Sequence, residues 1–323
     1  MSAEISFIDG KAEAAFALKS CWWDVAGDYV LDHVPNSEEM IQAAHLDWDV
    51  ELQPIYDHDG RHIPGHSTTI RSDTGLHLGV MSDSYRVVQN RDAFRFLDNL
   101  LKDGIMKYES AGALRGGRTV WVLARMPSVD TVAEGDELQR YILWLNSHDA
   151  TGALFAIPTS VRVVCSNTAA LAIRGQRGIR HIGDMDAKLK QAHKLLSKAD
   201  EQFTDFSSKA QVLAKSRYSR EQANEYVSTL VPQPENEGRS ATIHDRKVEA
   251  IRTAFRSERN QLASIRGSFW SLFNSVSEAV DHGRFYTYKG NKAESRMSSV
   301  LMGPGSDLKR RAFDLAYEMA TAS

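Results

Sequence analysis

The spacing of apolar residues predicts a sheet in the first half of the chain. Apolar and polar positions alternate, as in strands, over residues 48–56, 67–71, 76–89, 108–126, 138–146, 152–157 and 159–166. Only one clear helix falls among these segments: Asn90 caps a stretch in which Phe94, Leu97 and Leu101 share one face. Strands in series with turns between them predict an antiparallel, hairpin-rich sheet with one packing helix.

Helical periodicity replaces strand alternation after residue 185. Helices are predicted over residues 186–213, 220–230, 245–255, 269–282 and 308–321, and residues 232–238 form a hinge or loop. The fold class is therefore predicted as α+β, with a mostly helical C-terminal region. We expect three regions: an acidic N-terminal region over residues 1–60, an α+β core domain over 61–185 and the helical region over 186–323.

The junction between these two patterns lies at residues 159–171. It is predicted as the last core strand, in which Cys165 is a buried small hydrophobe. Asn167 and Thr168 are then expected to cap a helix that starts at Ala169. Residues 127–135 are predicted as a loop.

Charge is distributed unevenly along the chain. The formal net charge is -3, yet residues 1–60 hold two basic and thirteen acidic residues. The remaining residues hold 37 basic and 29 acidic ones, so the two parts have opposite net charges. This separation favours either a polyanionic partner for the basic part or an acidic arm that docks on it.

Composition limits the environment of the protein. It has two cysteines, Cys21 and Cys165, with no Cys-x-x-Cys pattern, which fits a reducing cytoplasm and excludes a cysteine zinc site. No run of eighteen apolar residues and no secretion signal is present, so we predict a cytoplasmic protein with no membrane partner.

Recognisable catalytic motifs are missing. There is no Gly-rich nucleotide loop, no zinc-protease motif and no nucleophile elbow. His58, His62 and His66 lie near two aspartates, but their Asp-Gly and Pro-Gly steps are typical of hairpin turns, and no metal or cofactor is predicted. Ser147-His148-Asp149 offers a base and a carboxylate, although neighbouring strand residues point in opposite directions. The chain is expected not to be an enzyme.

The positions of the arginines and of one lysine indicate a binding surface. Arg115 and Arg118 lie at a predicted hairpin tip and Arg162 lies on a strand, while Arg174, Arg177, Arg180 and Lys188 follow closely. Arginines make bidentate contacts to phosphates, and Tyr85 and Trp121 are available to stack on bases. Together these residues predict a groove that binds the backbone of a single nucleic-acid strand.

Several segments also resemble a known family. They are IPGHSTTIRSDTGLHLGVMSDSYRVVQN, GALRGGRTVWVLARMP, NSHDATG and VRVVCSNT followed by Arg180-His181. They resemble the phage/plasmid-like protein family built on domain of unknown function 932, over residues from about 35 onward. The resemblance implies a mobile-element origin and a bacterial host cytoplasm. The strand order is also similar to that of phage single-strand annealing proteins of the RecT and Red-beta type.

The function expected from these observations is non-enzymatic binding and annealing of single-stranded DNA in phage or plasmid recombination or replication, by a homo-oligomer. An alternative is an anti-defence or protein-interaction factor that engages a host protein, with an acidic N-terminal region that mimics DNA or inhibits the basic part. A third reading is a nuclease or hydrolase that uses His148 and Asp149.

Overall fold

The structure is a computed structural model of the 323-residue chain. It describes residues 7–8, 11–18, 30–101, 106–150, 152–163, 167–169, 178–184, 199–283, 285–287, 299 and 303–322. Cys165, Arg174, Arg177 and Lys188, which the sequence singled out, lie outside the described residues, as do residues 186–198 of the first predicted C-terminal helix.

The strands form one large sheet, one small sheet and a short hairpin. They are β1 (Phe7–Ile8), β2 (Lys11–Ala12), β3 (Ala14–Ala17), β4 (Val30–Leu31), β5 (Val50–Tyr56), β6 (His62–Arg71), β7 (His77–Ser82), β8 (Lys107–Leu114), β9 (Thr119–Ala133), β10 (Asp136–Ser147), β11 (Phe155–Arg162) and β12 (Asn167–Ala169). The large sheet has the order β12-β11-β10-β9-β8-β3-β4, and β5-β6-β7 form the small one. Antiparallel pairing dominates, with β3 and β4 as a parallel pair.

The structure describes seven α-helices. They are α1 (Ser37–Ala43), α2 (Asn90–Leu101), α3 (Ala199–Lys215), α4 (Arg220–Leu230), α5 (Arg239–Phe255), α6 (Phe269–Asp281) and α7 (Pro304–Thr321). The side chain of Asn36 accepts a hydrogen bond from the Glu39 amide, and the Glu39 carboxylate accepts one from the Asn36 amide, so α1 begins with a capping box. The fold is α+β with a helical C-terminal part, which confirms the predicted class.

Two compact units make up the chain. Unit 1 contains residues 1–127, 141–158 and 173–199, and unit 2 contains residues 128–140, 159–172 and 200–323. The three regions predicted from the sequence stay predictions.

Unit 1 has its core around the inner strands and the first two helices. Phe16 and Trp121 are buried with ring centroids 6.4 Å apart. Phe94 of α2 packs on Tyr108 of β8. The Tyr108 hydroxyl donates to the Phe94 carbonyl and to Asp98, and burial raises its pKa well above the usual range. A phenol buried this way remains a neutral donor, which holds α2 on the sheet.

Unit 2 is centred on α6, of which nearly every residue is buried. Trp270, Phe273 and Val276 supply apolar volume to the cluster that joins α3, α4, α5 and α7. The buried Ser271 and Ser275 hydroxyls donate to carbonyl oxygens three and four residues earlier. These local hydrogen bonds satisfy the two buried hydroxyl groups within α6 itself.

A buried ion pair lies beside this helix. The side chains of Arg162 and Asp136 are both fully buried, and two N–H groups of Arg162 donate to the two carboxylate oxygens at 2.6 and 2.7 Å. Arg162 also donates to the Asn260 side chain and the Arg259 carbonyl, while the Trp270 indole donates to Asp136. A buried charge is tolerated only when it is paired and its donors are satisfied, and this network meets that condition.

Two sequence predictions about the strands are wrong. Residues 127–135 are not a loop, because β9 continues to Ala133 and only Glu134 and Gly135 separate it from β10; Gly135 takes the left-handed φ of +72° that the tight turn requires. Asn167 and Thr168 do not cap a helix. They lie in β12, where Asn167 pairs with Arg162 in antiparallel register.

The Arg162–Asp136 pair gives a test of unit 2. Changing Asp136→Asn removes the charge that compensates buried Arg162, and we expect it to lower the free energy of unfolding by about 3 kcal/mol or more. Urea unfolding followed by circular dichroism measures the loss.

The matched control is Asp130→Asn, since Asp130 makes a similar two-oxygen contact with Arg140 at 2.6 and 2.7 Å but both side chains are partly exposed. Solvent screening should limit that loss to about 1 kcal/mol. Equal losses for the two variants would contradict a special role for burial.

Candidate nucleic-acid interface

The hairpin tip between β8 and β9 holds two exposed arginines. Arg115, Gly116 and Gly117 have φ values of +55°, +67° and +97°, so three successive residues take the left-handed conformation. Two glycines adopt it at little cost, whereas Arg115 is held there under strain. Arg115 and Arg118 are both exposed, which confirms that the tip presents two cations to solvent.

A buried arginine supports this tip from below. Arg71 lies with its guanidinium 4.1 Å from the centre of the Trp48 ring and donates to Glu13, to both oxygens of Asp73 and to the Gly116 carbonyl. Burial opposes its charge, but the hydrogen bonds of Asp73 and the charge of Glu13 outweigh it and raise the pKa of Arg71. Arg71 is therefore a permanent cation that anchors the tip.

The turn after β10 lies against the same tip. The His148 amide donates to the Arg118 carbonyl at 2.8 Å, and Asp149 lies 3.5 Å from the Arg115 guanidinium. The Ser147 hydroxyl donates to Asp149 at 2.7 Å. Ala150 then takes a φ of +61°, which reverses the chain direction. The turn is thus held to the hairpin by backbone and charge, and its position is well defined.

On its other side the turn borders a pocket of about 430 Å³. Tyr85 and His181 line it, with rings stacked at 5.2 Å and 16°, and the Tyr85 hydroxyl donates to the Ser147 carbonyl. Exposed Arg180 also lines the pocket. The remaining walls include the polar or small residues Ser82, Ser84, Ala150, Gly152 and Ala153.

His148 is buried and makes several contacts inside the protein. Its ring is fully buried, Nε2 lies 3.1 Å from Asn90 Oδ1, and the ring packs edge-on against Trp48. Burial is the main cause that lowers the pKa of His148 to about 3, with the charges of His181 and Arg71 acting in the same direction. Asp149 turns away toward Arg115 and Ser147. The burial of His148 gives no support to the nuclease or hydrolase alternative, which stays a prediction.

The six predicted site residues that the structure describes fall into three groups. Arg115, Arg118 and Arg180 are exposed and lie beside the turn after β10, of which residues 147–150 and 152–153 are described. Arg162 and Trp121 are wrong as surface contacts, because both side chains are buried and Arg162 belongs to the core of unit 2. Tyr85 lines the pocket but is 7% exposed and already stacked, so it is not an open platform for a base.

Other residues of the pocket were not predicted individually. His181, Ser82 and Ser84 were missed as site residues, since His181 appeared only as part of a family motif and the serines as part of a strand. Tyr85 and Ile182 form an isolated antiparallel bridge, which brings segments almost a hundred residues apart into contact.

The histidine-rich hairpin between β5 and β6 shows no metal-binding arrangement. Asp59 contacts His58 and Arg61 at 3.2 Å each, at the exposed tip. Among the described residues no three His, Cys, Asp or Glu side chains are placed to hold one ion.

The fold and this pocket define an α+β protein with a cavity of mixed polar and apolar lining, at which one exposed arginine, Arg180, lies. The family model described as Domain of unknown function (DUF932) matches residues 77–301, more than half of the chain. The chain therefore belongs to this family, and the match starts later than the resemblance from residue 35 indicated. Neither curated proteins nor solved structures gave a match. The resemblance to phage annealing proteins stays a prediction.

A search of the described helices for a membrane span found none of sufficient length and apolar character.

Buried His148 makes the free energy of unfolding depend on pH. Its pKa in the folded chain lies below the unfolded value of about 6.5, so the unfolded chain takes up the proton first as pH falls. The contribution of neutral His148 to stability is complete above about pH 6.5 and is lost below it, at up to about 1.4 kcal/mol per pH unit. We expect His148→Gln to reduce the slope of unfolding free energy between about pH 6 and 4, measured by urea unfolding. An unchanged slope would show that His148 is protonated in the folded chain.

Gly117 offers a test of the hairpin tip. A Cβ at this residue would lie 3.0 Å from Arg71 and Trp48, in addition to the strain of a φ of +97°. We expect Gly117→Ala to cost about 2 kcal/mol or more of unfolding free energy. Gly60→Ala is the control, since Gly60 has a φ of +78° but open space around it, and should cost about 1 kcal/mol. Equal costs would mean that the Arg71 contact does not constrain the tip.

Proposed function

We propose that the protein binds single-stranded DNA, without catalysing a reaction, through the arginine-flanked face of unit 1. This face consists of Arg115, Arg118, Arg180 and the described residues of the turn after β10, which are 147–150 and 152–153. The observation that supports the proposal best is that the hairpin tip and the segment of Arg180 border the same turn, with a pocket of mixed polar and apolar lining beside it.

The chemistry of the face suits a phosphate backbone. Guanidinium groups donate two parallel hydrogen bonds to a phosphate, and hydroxyl groups such as those of Ser82 and Ser84 add neutral donors. The pocket volume of about 430 Å³ is within the range of small-ligand sites, large enough for one nucleotide unit. Recognition through phosphates is independent of sequence, as annealing requires.

Stacking contributes less than the sequence indicated. Trp121 is inside the core and Tyr85 already stacks on His181. Affinity is therefore expected to arise mainly from charge, with strong dependence on salt.

The remaining parts of the proposal concern the biological setting. We propose that the activity serves recombination or replication of a mobile element in the cytoplasm of a bacterial host, a setting that the resemblance to phage and plasmid proteins supports. Annealing two strands needs more than one binding face, which a homo-oligomer supplies.

The acidic N-terminal alternative receives no support from the described contacts. Glu13 is not part of an acidic surface, because it is buried against Arg71. Deleting residues 1–60 would remove β3, Trp48 and β5 from folded sheets, so the deletion does not separate a mimic from an inhibitory arm.

Fluorescence anisotropy with a labelled oligothymidine tests the proposal. We expect the full chain to bind, with affinity that falls as salt rises. The double variant Arg118→Ala, Arg180→Ala should bind about tenfold or more weakly at low salt than the wild-type chain. The magnitude of the salt slope should decrease by about 1.4, since two phosphate contacts are lost.

The matched control is Arg91→Ala with Arg95→Ala. These arginines are exposed on α2 of the same unit and their removal changes the net charge equally. The proposal fails if the wild-type chain shows no salt-dependent binding, or if both double variants lose the same affinity.

A further inference from the structure

A second concave site lies entirely within unit 2. It is a groove of about 690 Å³ whose sides are formed by α4 and α5. The lining residues on α4 are Arg220, Ala223, Asn224, Val227 and Ser228, and those on α5 are His244, Val248, Ile251, Arg252 and Phe255, with Tyr218, Val231, Gln233, Arg256 and Leu272 completing it. Both sets follow a spacing of three and four residues, so each helix presents one continuous face.

The floor of the groove is apolar. Val227 and Val248 are partly buried and pack on the core of unit 2, and Ile251 is fully part of that core. Leu272 of α6 is buried beneath them. A pocket with an apolar floor favours a ligand that has an apolar body.

The groove has a distinct cationic end. Tyr218 precedes α4 and Phe255 ends α5, and their ring centroids are 6.4 Å apart, so the start of α4 lies near the end of α5. Arg220 is the first residue of α4, and Arg252 and Arg256 lie one turn before Phe255 and next to it. Three arginines therefore gather around the aromatic pair.

These arginines have no partner among the described residues. None of their guanidinium groups makes a hydrogen bond or ion pair there, and no described Asp or Glu side chain lines the groove. Arg162, Arg71 and Arg140, by contrast, each contact at least one carboxylate at 2.7 Å or less. His244 lies toward the start of α5 and is within 3.1 Å of Asp245. Uncompensated cations at one end favour an anionic group on the ligand.

We infer that this groove binds a small amphipathic organic anion, with its phosphate or carboxylate at Arg220, Arg252 and Arg256 and its apolar body along the floor. The volume is that of a small-molecule site. The site is separate from the DNA-binding face proposed for unit 1, and neither proposal depends on the other.

Calorimetric titration of the full chain tests this inference with two pairs of probes. Octanoate and octanol have an aliphatic body, and adenosine 5′-monophosphate and adenosine have an aromatic one. We expect at least one anion to bind with a Kd of about 100 μM or tighter, and its neutral counterpart to bind at least tenfold more weakly. Inorganic phosphate alone should not saturate the site. The pair that binds identifies the body of the ligand.

Variants locate the binding in the groove. Arg252→Ala should weaken the binding anion roughly tenfold, and Ala223→Trp should abolish binding by filling the groove while it keeps the arginines. Arg239→Ala is the matched control, since Arg239 is exposed on the same helix but does not line the groove. The Arg118→Ala, Arg180→Ala variant should bind the anion as the wild type does.

Three results would overturn the inference. They are no binding of either anion up to about 1 mM, equal binding of an anion and its neutral counterpart, or equal losses in Arg252→Ala and Arg239→Ala. The first two need only the wild-type chain, so they hold even if a variant fails to fold.

Discussion

The cost of burying a guanidinium governs much of this structure. Arg162 has no access to water, so its N–H groups need acceptors inside the protein. Asp136, Asn260 and the Arg259 carbonyl supply them, and Asn260 is in turn held by donation to the Ala254 carbonyl and to Glu278. Strands, a short 3-10 turn and helices in unit 2 therefore share one polar network. A network of this kind favours one arrangement of these elements over others, because a different arrangement would leave a buried charge unpaired.

Unit 1 also contains a buried arginine, Arg71, whose charge is compensated by different partners. Arg71 is enclosed by Glu13, Asp73 and the face of Trp48, and it holds the carbonyl of Gly116 at the hairpin tip. Among the described residues, Arg71 and Arg162 thus have their side chains in the interior. Exposed arginines are consequently more informative about binding than the total number of cations, and three of them line the groove of unit 2 while Arg115, Arg118 and Arg180 lie at the face proposed for unit 1.

Local signals made much of the fold predictable. The helix predicted over residues 220–230 coincides with α4 because Ser219 and Gln222 form a capping box that marks its start. The Arg-Gly-Gly-Arg segment between two strand patterns located the exposed tip correctly, since glycines permit the left-handed turn. Such features depend on residues within a few positions of one another.

Long-range packing made the rest unpredictable. Arg162 lies in a strand, as expected, but both it and its neighbour Val161 are buried, so alternation did not reveal an outward face. Its partners are 26 and 98 residues away. The pocket likewise depends on the stacking of the Tyr85 and His181 rings, and no local sequence pattern predicts that contact.

The buried contact of Glu13 with Arg71 also bears on where the folded protein begins. The family model starts at residue 77, yet β3 is an interior strand between β8 and β4, and Glu13, Trp48 and Arg71 all precede that start. A polypeptide cut to the matched range would expose the edge of β8 and lose the residues beneath the arginine-bearing tip. The range that the family model matches is therefore shorter than the folded part of the chain. The described residues before residue 77 contribute to the fold itself.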